Sequence, residues 1–260
     1  MKTVKVSHLV VNGCSFTYCQ GLENPKITGW PALLAKKLGV PVVNIAARGS
    51  GNDAITRRTY EYFYKDKKNL NNPLYIIAWS YSTRREEYQE VYKNQEIKEF
   101  FGISTGGWDD DSVLEKELVK NMLSHEGLLA CERKKLLFGL AVKQLFLSNN
   151  IPYIMTDFIP QHDLNVTKDL EKQFPEMFDD FYHDANKILD LEKLGRDHKD
   201  KILSCGHYAS EMMPIIADFV YDEIVKRYNI EIVYNDYLRL DSYRTEHKGN
   251  WYNNLWRIFK

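Results

Sequence analysis

A serine and a histidine stand near opposite ends of the chain, in settings that suit acyl-transfer chemistry. Ser15 closely follows the apolar run Val4 to Val11, and His207 follows a shorter run near the carboxyl terminus. A serine hydroxyl is a weak nucleophile until a base removes its proton, which histidine can do near neutral pH. The negative charge that develops on the substrate oxygen then needs N–H donors. The backbone N–H groups of Ser15 and Gly49 can supply two of them.

The alternation of apolar runs and amphipathic segments predicts a scaffold for these residues. Five strands are expected, at Val4–Val11, Val40–Ile45, Leu74–Trp79, Pro152–Thr156 and Lys201–Ser204. Helices are expected at about 30–39, 53–64, 128–148, 167–194 and 211–228. This order predicts an α/β fold, a three-layer α/β/α sandwich with a five-stranded parallel sheet in the flavodoxin-like order 2-1-3-4-5. Ser15, Gly49 and His207 then all follow carboxyl ends of strands, where such sheets bind ligands.

The middle of the chain, from about 81 to 126, departs from this alternation. We interpret it as an insertion with helical pieces that covers a substrate cleft, because loops on a rigid scaffold commonly set specificity. Trp79, Arg84 and Trp108 are the substrate-binding candidates. The acidic run Asp109–Asp111 lacks the spaced ligands and the glycine of a calcium loop, so it indicates a helix cap and no metal site is expected. We see no repeat or linker, which predicts one domain over 1–260, with an aromatic and basic tail from about 230 that packs back or meets a partner.

Composition excludes several classes of protein. The formal net charge of −1 gives no electrostatic reason to expect nucleic acid or an anionic membrane surface as a partner. No apolar run reaches the roughly 20 residues of a membrane span. Lys5, Ser7 and His8 interrupt the first apolar run, which argues against a secretory signal and predicts a cytoplasmic protein. The cysteines form no C-x-x-C pair, so neither a zinc knuckle nor a redox motif is indicated.

Three blocks of the sequence resemble the SGNH (GDSL-like) hydrolase superfamily. The first is Asn12-Gly13-Cys14-Ser15-Phe16-Thr17, with Cys14 where the family usually has aspartate; the form G-C-S-F-T is familiar from bacterial and phage-encoded members. The second is Asn44-Ile45-Ala46-Ala47-Arg48-Gly49, and the last is Gly206-His207-Tyr208-Ala209-Ser210. The resemblance implies that Ser15 is the nucleophile, that His207 is its base, and that Gly49 donates its N–H to the oxyanion. It implies no metal or organic cofactor.

Two features depart from the family's pattern. The family has an asparagine after its third strand as a further oxyanion donor, and the segment Ala78 to Arg84 contains none. Ser80, Ser82 or Asn52 are the candidate replacements. The family also has an aspartate shortly before the histidine. Ser204 and Cys205 occupy those positions here, so a backbone carbonyl, Ser204 or Asp157 are the candidates to orient the ring.

The sequence therefore predicts a serine esterase that acts on an acyl or acetyl ester of a carbohydrate or small molecule. Two alternatives stay open: a non-catalytic binding protein on the same fold, and an acyltransferase whose acceptor is a sugar hydroxyl. The sequence leaves the oligomeric state open.

Overall fold

The computed structural model describes residues 1–66, 71–91, 97–103, 124–157, 164–185, 199–203 and 207–233. Its strands are β1 (Lys2–Val6), β2 (His8–Asn12), β3 (Val42–Asn44), β4 (Pro73–Trp79), β5 (Arg85–Val91), β6 (Ile97–Ile103), β7 (Tyr153–Asp157) and β8 (Tyr228–Ile232). Its helices are α1 (Ser15–Tyr18), α2 (Pro25–Thr28), α3 (Trp30–Leu38), α4 (Asn52–Asp66), α5 (His125–Ser148), α6 (Leu164–Gln173), α7 (Pro175–Ala185) and α8 (Met212–Arg227).

The central sheet is parallel and has the strand order β3-β2-β4-β7. In this sheet Val10 pairs with both Val43 and Tyr75, which places β2 in an interior position. The order reproduces the first four strands of the predicted flavodoxin-like sheet. All four strands end at one edge, which we call the carboxyl edge.

Helices cover both faces of this sheet, which confirms the predicted α/β/α layers. Along β2, Leu9 and Val11 pack into one apolar core with α3 and α8, whereas Val10 packs into the other with α4, α5 and α7. All three side chains are completely buried. A strand covered on both faces needs such an unbroken apolar run, because neither face meets water.

The predicted fifth strand is wrong over residues 201–203. Lys199–Lys201 forms a 3-10 turn, and Ile202 makes only an isolated antiparallel bridge with Tyr208. The Leu203 N–H donates to the His207 carbonyl at 2.7 Å, and the Ala209 N–H donates to the Lys201 carbonyl at 2.8 Å. The chain therefore folds back on itself instead of joining the central sheet.

The predicted first strand is divided at Ser7. Its N–H donates to the Asn72 carbonyl at 2.9 Å and its hydroxyl donates to the Asn71 carbonyl, which ties Ser7 to the turn before β4. The chain on the amino side of Ser7 forms β1, which pairs in parallel with β8. Residues 228–232 of the tail thus pack back on β1; residues 234–260 lie outside the described residues.

The predicted helical insertion is wrong where it is described. β5 and β6 form an antiparallel hairpin in which Tyr88 lies opposite Phe100. Tyr, Phe, Val and Ile favour strands, and the short connection of residues 92–96 suits a hairpin. Residues 104–123 are outside the described segments, so a cover over the cleft stays a prediction, as does the single-domain organisation.

Candidate active site

The turn after β2 is fixed by the buried side chain of Asn12. Its Nδ2 donates to the Ile55 carbonyl at 2.8 Å and to the Thr59 Oγ1 at 2.9 Å, both on α4. Its Oδ1 accepts the Gly13 N–H at 2.8 Å. A Cβ at Gly13 would lie 2.3 Å from the Thr17 Oγ1, so only glycine fits there. This packing sets the start of α1, which begins at Ser15.

The loop after β3 is tied to α1 by a second buried asparagine, Asn44. Its Nδ2 donates to the Thr17 carbonyl at 3.0 Å and its Oδ1 accepts the Ala46 N–H at 3.0 Å. Gly49, in this loop, has φ +69°, a left-handed conformation that side chains disfavour. A Cβ placed there would meet nothing within 4 Å. The positive φ therefore favours glycine at position 49. The space that a side chain would occupy there is open.

A third buried asparagine, Asn52, holds the turn after β4. Its Oδ1 accepts the Ser80 N–H at 2.8 Å, and its Nδ2 donates to the Ser80 carbonyl at 3.1 Å and the Tyr81 carbonyl at 3.3 Å. The side chain therefore positions the segment in which the family's asparagine is missing. The Ser80 Oγ accepts from the Arg84 Nη1 at 3.3 Å, and Ser82 is half-buried in the same turn. Which of these three candidates donates to an oxyanion stays a prediction.

His207 lies next to α1, although it is far from Ser15 in sequence. Its ring centroid is 4.9 Å from that of Phe16, and the Tyr208 ring is 5.6 Å from Phe16. Phe16 directly follows Ser15, so this aromatic contact brings the histidine segment to the helix that carries the serine. A hydrogen bond between Ser15 and His207 stays a prediction. Sequence reasoning missed the positioning role of Phe16 and Tyr208, whose signal is an aromatic residue directly after each candidate catalytic residue.

The remaining candidates are distributed between the core and the carboxyl edge. Trp79 is completely buried and packs in the core, with its ring 6.1 Å from that of Phe181; its role in substrate binding stays a prediction. Arg84 lies in the turn after β4. The Asp157 backbone pairs with Trp79 at the end of β7. The Asp157 side chain, Trp108 and Ser204 lie outside the described residues.

The Cys19 thiol is disfavoured as a nucleophile. Burial raises the pKa of Cys19 to about 12, against a smaller lowering by a hydrogen bond with the Trp30 backbone. That thiol stays protonated at neutral pH, and a thiol is a poor nucleophile compared with a thiolate. Among the described residues no cluster of three or more His, Cys, Asp or Glu side chains is placed to hold a metal ion. No helix in those same segments has the length and apolar character needed to cross a membrane.

No family model and no curated protein matches the sequence, but several solved structures of esterases and lipolytic proteins are similar to this chain. A psychrotrophic esterase, EstA from Pseudoalteromonas sp., is 14% identical, with a TM-score of 0.52 over 85% of this chain and 98% of the esterase. A member of the lipolytic G-D-S-L family from Veillonella parvula is 9% identical, with a TM-score of 0.47 over 85% of this chain and 100% of its own. The TM-score of the first comparison establishes a common fold, and the chain therefore has an SGNH hydrolase-like fold.

Proposed function

We propose that the chain is a cytoplasmic serine hydrolase that cleaves an acyl or acetyl ester of a carbohydrate or small molecule. The observation that carries this proposal is the 4.9 Å contact between the Phe16 and His207 rings. It brings the only histidine of the candidate set to the helix that begins at Ser15. The neighbouring loop holds Gly49 in a conformation that leaves open space beside its backbone.

In the proposed mechanism, the Ser15 Oγ attacks the ester carbonyl carbon while His207 takes the hydroxyl proton. The carbonyl oxygen becomes an oxyanion, which the N–H groups of Ser15 and Gly49 stabilise. Collapse of this intermediate breaks the bond to the alcohol, and His207 returns the proton to the leaving oxygen. Water, activated by His207, then attacks the acyl-enzyme, and the acid and free Ser15 are released.

The hydrogen bonds within the turn after β4 lead us to expect a low kcat. The Ser80 N–H is bonded to the Asn52 Oδ1, and the Asn52 Nδ2 is bonded to two carbonyl groups. Loss of one oxyanion donor typically lowers kcat by about 100- to 1000-fold. This feature is also the observation that favours the second candidate function, a binding protein that has kept the fold without catalysis.

The decisive experiment combines a serine-directed fluorophosphonate probe with a panel of short-chain aryl and sugar esters. Ser15→Ala and His207→Ala should each lower kcat by at least about 1000-fold, and the double variant should be little worse, because the two groups act as a unit. Peptide mapping should place the probe on Ser15. Ser148→Ala is the matched control, since Ser148 is exposed at the far end of α5, and within the described segments its hydroxyl accepts a hydrogen bond only from the Gln144 Nε2.

Three outcomes separate the candidate functions. Unchanged turnover in Ser15→Ala would show that the serine mechanism is wrong. A wild-type protein that is inert toward every ester and the probe would favour the binding protein. Hydrolysis and acyl transfer are distinguished by product analysis with and without an acceptor alcohol, because transfer yields a new ester in place of the free acid.

A further inference from the structure

Two arginines at the carboxyl edge are each stacked on a tyrosine. The Arg48 Cζ lies 5.0 Å from the centre of the Tyr18 ring, and the Arg84 Cζ lies 5.1 Å from that of Tyr81. Such stacking holds a guanidinium plane by cation–π attraction while leaving its edge N–H groups for other acceptors. Each arginine is thus held in place by a group that does not neutralise it.

Neither guanidinium has a carboxylate partner within the described part of the chain. Arg57 and Arg227, on helix surfaces, are by contrast bonded to Glu61 at 2.8 Å and Glu223 at 2.7 Å. The only side-chain hydrogen bond of Arg84 among those residues is the one that its Nη1 donates to Ser80, and its Nε is buried without a hydrogen-bond partner there. A buried charged donor without an acceptor is unfavourable, so the Arg84 Nε favours the binding of a further acceptor.

Both arginines lie beside the candidate active site, Arg48 with an exposed side chain and Arg84 with a half-buried one. Arg48 directly precedes Gly49, and its tyrosine, Tyr18, lies on the helix that starts at Ser15. A Cβ at Gly51 would lie only 2.5 Å from the Arg84 carbonyl oxygen, so the backbone of Arg84 lies directly against the loop that carries Gly49. Asn52 bonds the same two segments together.

We propose that Arg48 and Arg84 recognise an anionic group on the ester substrate, a carboxylate or a phosphate. The inference rests on the proposed esterase function and deepens it, because it defines the substrate as an acidic ester such as an acylated sugar acid or sugar phosphate. Guanidinium groups match both anions through paired N–H donors. The anion of the substrate provides the negatively charged partner that neither arginine has among the described residues.

The test measures acetate release from three monoacetylated sugars: a glucuronate, a glucose 6-phosphate and a neutral methyl glucoside. We expect kcat/KM at least about tenfold higher for one or both charged esters, the size of one charge-assisted hydrogen bond. Arg84→Gln and Arg48→Gln should each reduce this preference, and salt should weaken it. Arg57→Gln is the matched control, because it removes a paired arginine from α4 and should keep the preference. Comparison of kcat/KM for the glucuronate and glucose 6-phosphate esters shows whether a carboxylate or a phosphate is preferred.

Equal kcat/KM for the three esters would overturn the inference while leaving the esterase proposal intact. An equal loss on all three esters in Arg84→Gln would overturn it too, because that pattern indicates a structural role. Calorimetry with glucuronate, glucose 6-phosphate and methyl glucoside gives a readout independent of turnover. Anion binding that Arg84→Gln abolishes, in a protein that hydrolyses no ester, would support anion recognition and refute the esterase. Absence of both binding and turnover would overturn both proposals.

Discussion

The two ends of β2 both bury polar groups, but their surroundings differ. At the amino end, the Ser7 hydroxyl donates to the Asn71 carbonyl and lies 2.9 Å from the His8 Nδ1. At the carboxyl end, Asn12 bonds to α4 and to the Gly13 N–H, and the chain then leads to Ser15.

This difference shows which end of the strand is available to a ligand. At the amino end the polar groups bond to one another and to the next turn. At the carboxyl end the buried asparagines fix the backbone, and a Cβ on Gly49 would meet no atom of the described residues within 4 Å apart from those of its chain neighbours. Buried polar residues occur at both ends and do not distinguish them; the open space beside the left-handed backbone of Gly49 distinguishes the carboxyl end.

The largest expected effect on stability comes from Asn12→Ala. This change removes two bonds to α4 and leaves the buried Gly13 N–H without its acceptor. An unsatisfied buried donor and two lost hydrogen bonds together should lower the free energy of unfolding by about 3 kcal/mol, measured by urea denaturation at pH 7.

Asn229→Ala is the matched control for that change. Asn229 is exposed on β8, and in the described part of the chain its Nδ2 donates only to the Thr3 Oγ1 at 3.3 Å. The control should stay within about 0.5 kcal/mol of the wild type. If both variants lost the same stability, the carboxyl end of β2 would not depend on its buried amide.

The second prediction concerns the pH dependence of stability that arises from His8, at the amino end of β2. Burial lowers the pKa of His8 to about 4, from 6.5 in the unfolded chain. Below pH 6.5 the His8 ring is therefore protonated in the unfolded chain, whereas in the folded protein it is protonated only near pH 4. The stability of the fold falls as the pH decreases through this window. Between pH 7 and pH 5 the loss should be about 2 kcal/mol. His8→Gln should remove that part of the slope in urea titrations, and an unchanged slope would contradict the assignment.

Much of the fold was predictable because parallel strands buried on both faces leave a clear signal. The fully apolar run of β4 and the β-branched run of β3 mark strands, and Gly39, with φ +72°, ends α3 as expected. The small-residue turn at Gly49 was also evident. Ser15 and Gly49 could be placed at one edge from strand order, because carboxyl ends of parallel strands share an edge, whereas the placement of His207 was based on a fifth strand that does not form over residues 201–203.

The errors have a common physical cause, which is long-range pairing. Ser7 divides the first apolar run because of a turn at Asn71–Asn72 far along the chain, and β1 pairs with β8 from the other end. The expected fifth strand instead bridges to Tyr208. In the same way, the hydrogen bonds from Asn52 to the Ser80 and Tyr81 carbonyl groups join residues that are far apart in sequence, so the sequence alone could not show them. The sequence pattern within a segment does not indicate which distant residues will pair with it.

The smallest stability effect, and the sharpest test of the open carboxyl end, is expected at Gly49. Gly49→Val should lower the free energy of unfolding by about 1–2 kcal/mol, because a β-branched side chain disfavours positive φ. Gly49→Asn should lower it less, since asparagine tolerates this conformation. Both variants keep the backbone N–H.

Ester turnover in these variants tests what the open space is for. If a reacting group lies beside Gly49, the new side chain in Gly49→Asn should displace it, and kcat/KM should fall by about 100-fold although the protein stays folded. His8→Gln is the reciprocal control: it changes the pH dependence of stability and should leave kcat/KM at pH 7 as it is. Wild-type kcat/KM in Gly49→Asn would mean that the space beside Gly49 receives no part of the substrate, and the oxyanion would then have to bind elsewhere along the carboxyl edge.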